Sequence, residues 1–130
     1  MSNDVSTAEA TRGIQPGVAG TGGVTSKRFS SYCADDHKIS VAESGFASGI
    51  TVETALVGKR TAQKQYGSAL LTVNAQSVNI AVGDPIKPTT GGIGVKAATN
   101  KDKYSAIAQG VSTTDGDVIS VLIERGVCNI

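Results

Sequence analysis

The residues best suited to chemistry are one histidine and two cysteines. His37 is the only histidine of the 130-residue chain, Cys33 precedes it with three residues between, and Cys128 lies near the other end. The Cys33–His37 spacing suits half of a metal site, but a structural zinc ion takes four Cys or His ligands and only Cys128 is left to add. The pattern therefore favours an exposed polar turn, and we predict no metal.

A catalytic nucleophile would also depend on His37, because no other histidine could act as its base. No serine stands in a Gly-x-Ser-x-Gly elbow, and a Cys33–His37 pair would have to meet across a fold rather than on one turn. We therefore predict that the protein is not an enzyme and has no catalytic residues and no cofactor. No secretory signal is visible, so reduced thiols in a cytosolic compartment are expected, although a Cys33–Cys128 disulfide is geometrically possible.

The glycine-rich and basic stretches do not match a phosphate or nucleic-acid site. Residues 17–27 end in Ser-Lys, whereas a phosphate-binding loop needs Gly-Lys followed by Ser or Thr, between a strand and a helix. Lys59, Arg60 and Lys64, with Tyr66 nearby, form the best basic cluster. However, 12 basic and 11 acidic side chains leave a formal charge of only +1. No apolar run approaches about 18 residues. We expect neither nucleic acid nor a membrane as partner.

The composition favours β-structure. The chain has 14 Val and 10 Ile against 4 Leu, together with 16 Gly and 26 Ser plus Thr. β-Branched side chains fit pleated, half-buried surfaces, and a Leu-poor chain has little material for amphipathic helices. With no Trp, two Phe and three Tyr, the domain has few large side chains to bury. Association with itself or with a partner would therefore be a natural source of stability.

Short β-rich runs separated by turn residues fill residues 27–130, the predicted core domain. Alternation is clearest in 118–124, and Asp115-Gly116 is expected to form a tight turn between the last two strands. Only 62–71 leaves a helix open, because Gln and Lys dilute the β pattern there. We predict an all-β fold, a small β-barrel or sandwich of about seven or eight short strands with an extended N-terminal arm. The predicted strands are 28–34, 38–43, 50–57, 68–73, 78–82, 94–98, 104–111 and 118–124.

Residues 1–26 differ from the rest and are predicted to form an extended glycine-rich arm. The apolar residues in this stretch are small and isolated, so the arm cannot build a core face of its own. Either it is a disordered tail, or it orders against another protein surface through main-chain hydrogen bonds, which is the interpretation we follow. Ile14, Val18 and Val24 would occupy shallow pockets there, and Pro16 would stiffen the crossing between them. Deleting most of the arm should then leave the core folded.

Four stretches of the C-terminal half resemble a known family. They are 82–86 (VGDPI), 89–98 (TTGGIGVKAA), 107–111 (IAQGV) and 116–123 (GDVISVLI). In order, they give a Gly-Asp turn before a strand, a glycine-rich hairpin, and a strand that pairs with a final Gly-Asp-x-Ile-x-Val strand. This part of the chain resembles the capsid decoration, or cement, proteins of tailed bacteriophages. The likeness covers residues 78–125 well and 38–58 loosely, and it does not include the arm.

The resemblance implies a structural virion protein that binds the outer surface of a phage capsid and stabilises contacts between major capsid protein subunits. Such a protein would be assembled into the particle in the host cytoplasm. Its partners would be the major capsid protein and itself, with a homotrimer favoured over a homodimer because three capsomers meet at threefold positions. The family has no catalytic residue to transfer.

Two alternatives stay open. The first is another phage structural component, such as a head–tail or tail protein, because strand content does not separate these classes. The second is a small ligand-binding β-barrel, which would need a cluster of ionisable or aromatic pocket residues.

Overall fold

The computed structural model describes residues 13–130, and short β-strands make up almost all of its regular structure. The helical structure in this range is a single 3₁₀ turn, Thr90–Gly92. The all-β prediction is confirmed. In chain order the strands are β1 (Ile14–Ala19), β2 (Phe29–Cys33), β3 (Lys38–Val41), β4 (Gly49–Thr51), β5 (Arg60–Lys64), β6 (Gly67–Asn74), β7 (Pro85–Pro88), β8 (Gly94–Lys96), β9 (Lys103–Ala108) and β10 (Asp115–Val127).

The ten strands close into two five-stranded barrels. In the first barrel, pairing runs in the order β1-β3-β2-β4-β5 and returns to β1; in the second, it runs β10-β6-β8-β7-β9 and returns to β10. Each ring contains one parallel pair, β1 with β3 and β6 with β8, and its remaining pairs are antiparallel. The predicted small barrel is therefore present twice in the chain.

Strand β1 corrects the predicted boundary between arm and core. It pairs with β5 from Ile14 to Val18 and with β3 at Val18 and Ala19, so it closes the first barrel. Further along, Val24 forms an isolated bridge with Ala55. The described residues of the predicted arm are thus part of the barrel, and deletion of most of the arm would remove a strand. Residues 1–12 of the predicted arm lie outside the described part of the chain.

Close approach explains why this stretch is rich in glycine. A Cβ atom added to Gly17 would lie 2.6 Å from the carbonyl oxygen of His37, so a larger residue would push β1 away from the β2–β3 turn. The amide of Val18 donates a 3.0 Å hydrogen bond to that same oxygen. The glycine content that suggested a free arm is therefore what allows β1 to pack closely enough to pair within the first barrel.

The possibility of a helix at 62–71 is excluded, because this stretch contains parts of β5 and β6. Two other local predictions were wrong. The predicted strand 78–82 makes only an isolated bridge, between Ile80 and Ser112. Asp115-Gly116 is an irregularity inside β10 and not a hairpin turn: the register with β6 shifts between Asp115 and Asp117, and Gly116 has a φ of +81°. A bulge of this kind needs the same left-handed glycine as a tight turn does.

The main apolar core joins the two barrels. Phe29 and Ile50 stand opposite each other on β2 and β4, and both are about 1% exposed. Their neighbours along the strands, Ser30 and Thr51, face the other way, into the first barrel. The core cluster that holds Phe29 and Ile50 also holds the inward side chains of the second barrel, which are Leu71, Val73, Ile86, Ala106, Ala108, Ile119 and Val121. The two barrels therefore share one core.

On the inner side of β2 and β4, opposite the side that carries Phe29 and Ile50, the interior of the first barrel is polar. The Oε1 atom of Gln63, which is fully buried, accepts hydrogen bonds from the hydroxyls of Ser30 at 2.7 Å and Ser48 at 3.1 Å. Thr61, also buried, donates to the carbonyl of Glu53 at 3.0 Å. These bonds satisfy Oε1 and the three hydroxyls, whereas the buried Nε2 atom of Gln63 has no hydrogen-bond partner among the described residues. A polar interior of this kind adds less apolar burial than the second barrel does.

Two arginines fasten the barrels together at the edge of the shared core. Arg125 on β10 donates from Nε to the carbonyl of Ala47 at 2.8 Å and from Nη2 to that of Ser48 at 3.0 Å. Arg28 donates from Nη1 to the carbonyl of Gly91 at 3.1 Å. Charge-assisted bonds of this type fix orientation, so the two rings are held as one unit.

We predict that Phe29→Ala lowers the free energy of unfolding by about 3–5 kcal/mol, because it leaves a cavity between the two barrels. Phe46→Ala is the matched control: Phe46 is 45% exposed and its ring lies 5.6 Å from the ammonium of Lys103. The control should lose about 1 kcal/mol or less. Urea unfolding followed by circular dichroism measures both losses. Equal losses would show that Phe29 is not central to the core.

A second stabilising group is Asp102, which holds the end of the second barrel. Its Oδ2 accepts hydrogen bonds from the ammonium of Lys87 at 3.0 Å and the amide of Thr99 at 3.1 Å, and its carbonyl accepts from the amide of Cys128 at 2.9 Å. The Lys87 hydrogen bond is the largest cause that holds the pKa of Asp102 below its ordinary value of 3.8, and the Thr99 amide is the next.

A carboxylate whose pKa falls on folding stabilises the fold above its unfolded pKa, and that contribution is lost as the pH falls through the folded pKa. We therefore expect the stability difference between the wild type and Asp102→Asn to be largest near neutral pH and to shrink as the pH falls below about 4. Urea midpoints measured from pH 7 to pH 3 test this. Asp35→Asn, at an exposed carboxylate, is the control and should show no such convergence. A constant gap for Asp102→Asn across this range would contradict the expectation.

Candidate interaction surface

The structure does not bring the three potential ligands or nucleophiles together. Cys33 is exposed at the end of β2, whereas the buried thiol of Cys128 lies in the second barrel, 3.6 Å from the carbonyl oxygen of Ala97. Both thiols are free. Within residues 13–130, no group of three or more His, Cys, Asp or Glu side chains is arranged to hold a metal ion.

His37 lies in the β2–β3 turn, where its contacts are structural. The Tyr32 hydroxyl lies 2.6 Å from its Nδ1 atom, and its backbone has a φ of +58°. Beside it, the amide of Lys38 donates to Asp36 at 3.1 Å, and this bond is the largest cause that lowers the pKa of the Asp36 carboxyl. In the described hydrogen bonds the partner of the imidazole is the Tyr32 hydroxyl, so the two side chains connect β2 to the turn that follows it.

The predicted contact residues divide into two groups. Ile14, Pro16 and Val18 alternate along β1 and share the side that points away from the barrel interior, where each is partly or largely exposed. Val24 is only 6% exposed and packs with Ala19 and its neighbours in a small cluster inside the first barrel. The structure therefore leaves three of the four side chains available to a partner and makes Val24 a core residue.

Three cations flank this apolar stripe. Val18 stands opposite Lys38 on β3 and Arg60 on β5, and Ile14 stands opposite Lys64. Residues opposite each other on neighbouring strands project to the same side, so all three cations lie on the outer surface. Lys38 and Arg60 are exposed there, whereas the ammonium of Lys64 donates to the carbonyl of Ser68 at 2.7 Å and so lies where this face meets the second barrel. We call the surface formed by Ile14, Pro16, Val18, Lys38, Arg60 and Lys64 the β1 face.

The electrostatics of the β1 face are dominated by positive charge. Among the described ion pairs, only Lys38 has an acidic partner on this face, with its ammonium 3.9 Å from the Asp36 carboxylate at an exposed position. An exposed pair at that distance contributes little. The sequence drew attention to Arg60 and Lys64 only as a basic cluster. The sequence does not show the strand register, which places Arg60 beside Val18 and Lys64 beside Ile14.

Among residues 13–130 there is no helix long and apolar enough to cross a membrane. The interiors of both barrels are occupied by side chains: polar ones beside a small apolar cluster in the first, and apolar ones in the second. The features open to a partner are therefore the outer faces of the strands and the loops that join them.

Comparisons with known proteins give a structural likeness. No protein-family model matches the chain, and a search of characterised proteins finds no significant relative. In structure, the chain is similar to the head fiber gp8.5 N base of bacteriophage phi29, with a TM-score of 0.70. The two are 17% identical in sequence, and the match covers 90% of this chain and 99% of that one. At this identity the likeness establishes a shared fold over nearly the whole length of both chains.

Proposed function

We propose that the chain is a non-enzymatic structural protein of a tailed-phage virion, which binds the outer surface of the head and stabilises contacts between major capsid protein subunits. The observation that carries the proposal is the fold shared with a phage head fiber base over 90% of the chain. The sequence resemblance of residues 78–125 to capsid decoration proteins points to the same location by a separate route.

The physical basis of stabilisation is mass action. A protein that binds neighbouring capsomers only in the assembled lattice lowers the free energy of that lattice relative to its separated parts. The proposed partners are the major capsid protein and further copies of this chain, with a homotrimer on a threefold position as the favoured form and a homodimer as the alternative. Assembly would take place in the host cytoplasm.

The alternatives have weaker support. A ligand-binding barrel needs interior space, whereas Gln63 in the first barrel and Leu71, Val73 and Ile86 in the second are fully buried among other side chains. A head–tail or tail protein is compatible with the strand content. However, the fold comparison offers a head fiber component as the neighbour, so the head is the preferred location.

The β1 face is the surface best suited to the capsid. Its apolar centre, Pro16 and Val18, can lose water on contact, and its flanking cations Lys38, Arg60 and Lys64 select a partner of opposite charge. The expected site on the capsid is therefore an acidic surface with a shallow apolar centre. This assignment keeps three of the residues first predicted to contact the capsid, but on a rigid strand instead of a mobile arm.

The first test is thermal. Empty shells of the cognate phage, with and without saturating protein, are heated and their disruption is followed by light scattering. We expect the decorated shells to break at a temperature several degrees higher, because about 2.7 kcal/mol per site is gained at a hundredfold excess over the dissociation constant. Identical disruption temperatures, with the protein shown to be bound, would contradict a stabilising role.

The second test is of the β1 face. Arg60→Glu should weaken binding to shells about tenfold or more, because a like charge replaces an attractive one at the contact. Lys101→Glu makes the same charge change at an exposed position of the second barrel and should bind as the wild type does. Co-sedimentation with shells measures both, and wild-type binding should also weaken as salt is raised. If both variants bind equally well, the β1 face is not the contact.

A further inference from the structure

A second outer face, on the other barrel, differs from the β1 face in its chemistry. Strands β6, β10 and β9 are neighbours, and Leu70, Val118 and Leu122 project outward from the first two with exposures of 50%, 40% and 38%. Ile107 on β9 stands opposite Leu122. We call the surface formed by Ser68, Leu70, Thr72, Ile107, Val118, Ser120 and Leu122 the β10 face.

The β10 face carries no charged side chain. Between β6 and β10, each aliphatic residue stands opposite a hydroxyl residue: Leu70 faces Ser120, Leu122 faces Ser68, and Val118 faces Thr72. Leu70 on β6 and Leu122 on β10 are much larger than the serines opposite them, whereas Val118 and Thr72 are close in size. The two leucines therefore project from different strands, each beside the hollow over a serine. A surface of this form can accept the projections of an identical surface, because each copy offers both shapes.

Two irregularities in β10 limit the face. Regular pairing with β6 and β9 is interrupted between Asp115 and Asp117 at one end and between Ile123 and Gly126 at the other. Charged residues begin at these limits, with Asp117 before Val118 and Glu124 after Ile123. The regular, uncharged stretch is thus confined to the length of strand between the two bulges.

The rim beside the face carries charges of both signs. Lys27 and Lys64 border the hollow next to Leu70, along the β6 side, while Asp117 and Glu124 lie at the two ends on β10. A rim of one sign would repel an identical rim. A mixed rim allows a lysine of one copy to approach an acidic residue of the other, which favours association of like with like.

We infer that a second copy of this chain covers the β10 face. The inference rests on the self-association contained in the proposed function and names the surface that performs it. The aliphatic residues supply the apolar centre of the contact, and the charged residues at its edge supply the polar rim that such interfaces have. In a dimer two β10 faces pack directly on each other, and in a trimer three of them turn toward the common axis.

The size of the face sets the strength of the contact. A stable interface buries about 800 Å² on each partner, contributed by roughly 20–30 residues, so the β10 face is the centre of the interface and the rim must complete it. An interface with a small apolar centre should dissociate in the micromolar range. On a shell, where many copies lie close together, the high local concentration would raise the fraction of copies that form this interface.

The oligomeric state of the purified protein tests the inference. Sedimentation equilibrium from about 1 to 200 µM should show a reversible dimer or trimer of the 13.1 kDa chain. Leu70→Lys places a charge at the centre of the face and should give a monomer throughout. Val111→Lys makes the same kind of change at a valine that is 66% exposed elsewhere, and it should keep the wild-type mass.

A milder variant guards against misfolding. Leu122→Thr replaces the leucine with a smaller β-branched residue that suits a strand, and it should raise the dissociation constant about tenfold, with far-UV circular dichroism unchanged. A monomeric wild type at 200 µM overturns the inference, as does a Leu70→Lys or a Leu122→Thr protein that associates as the wild type does.

Shell binding is scored separately by co-sedimentation. A wild-type protein that is monomeric and still binds shells overturns the β10 interface and leaves the proposed function standing. A wild-type oligomer that does not bind shells overturns the proposed function and leaves the β10 interface standing.

Discussion

The packing of Phe29 and Ile50 against the second barrel is the contact on which the rest of the structure depends. Each barrel is small, and the interior of the first is partly filled by Gln63 and its hydroxyl partners, which add little apolar burial. By turning Phe29 and Ile50 outward, the first barrel contributes its largest side chains to a core that neither barrel could complete alone. The hydrogen bonds of Arg28 and Arg125 then fix the orientation that this packing allows.

The sequence predicted a strand correctly where apolar side chains alternate along it and one side of the strand is buried. In β10, Val118, Ser120 and Leu122 alternate with Ile119, Val121 and Ile123, and the predicted strand was correct although longer in the structure. The sequence was uninformative where a strand contains glycine or proline and is nevertheless held in place by its neighbouring strands. β1 has a proline and a glycine at its centre, and β7 begins and ends with proline, yet β1 is held by β3 and β5, and β7 by β8 and β9. The order of residues within a strand does not indicate which other strands it will pair with.

The same limit applied to the site. Ile14, Pro16 and Val18 lie on one outward side of β1, because alternation places them there whatever the strand pairs with, and their contact with a partner stays a prediction. Their attachment to a free arm was wrong, and Val24 turned out to be a core residue. The cations beside Val18 come from β3 and β5, and only the register reveals them. The molecule consequently has two unlike outer faces, one cationic and one uncharged, on opposite members of the barrel pair.

Closure of both rings has a consequence for the fate of the protein before it meets a partner. An open sheet ends in a strand with unpaired amide and carbonyl groups, which can recruit another chain and seed fibrous aggregates. Within residues 13–130, every strand of the two barrels has a neighbour on each side, so no strand of this range is a free edge of that kind. Contacts between copies through the barrels would then be made mainly by side chains. A protein rich in valine and isoleucine, whose sequence would otherwise be prone to amyloid, is protected by the geometry of its rings.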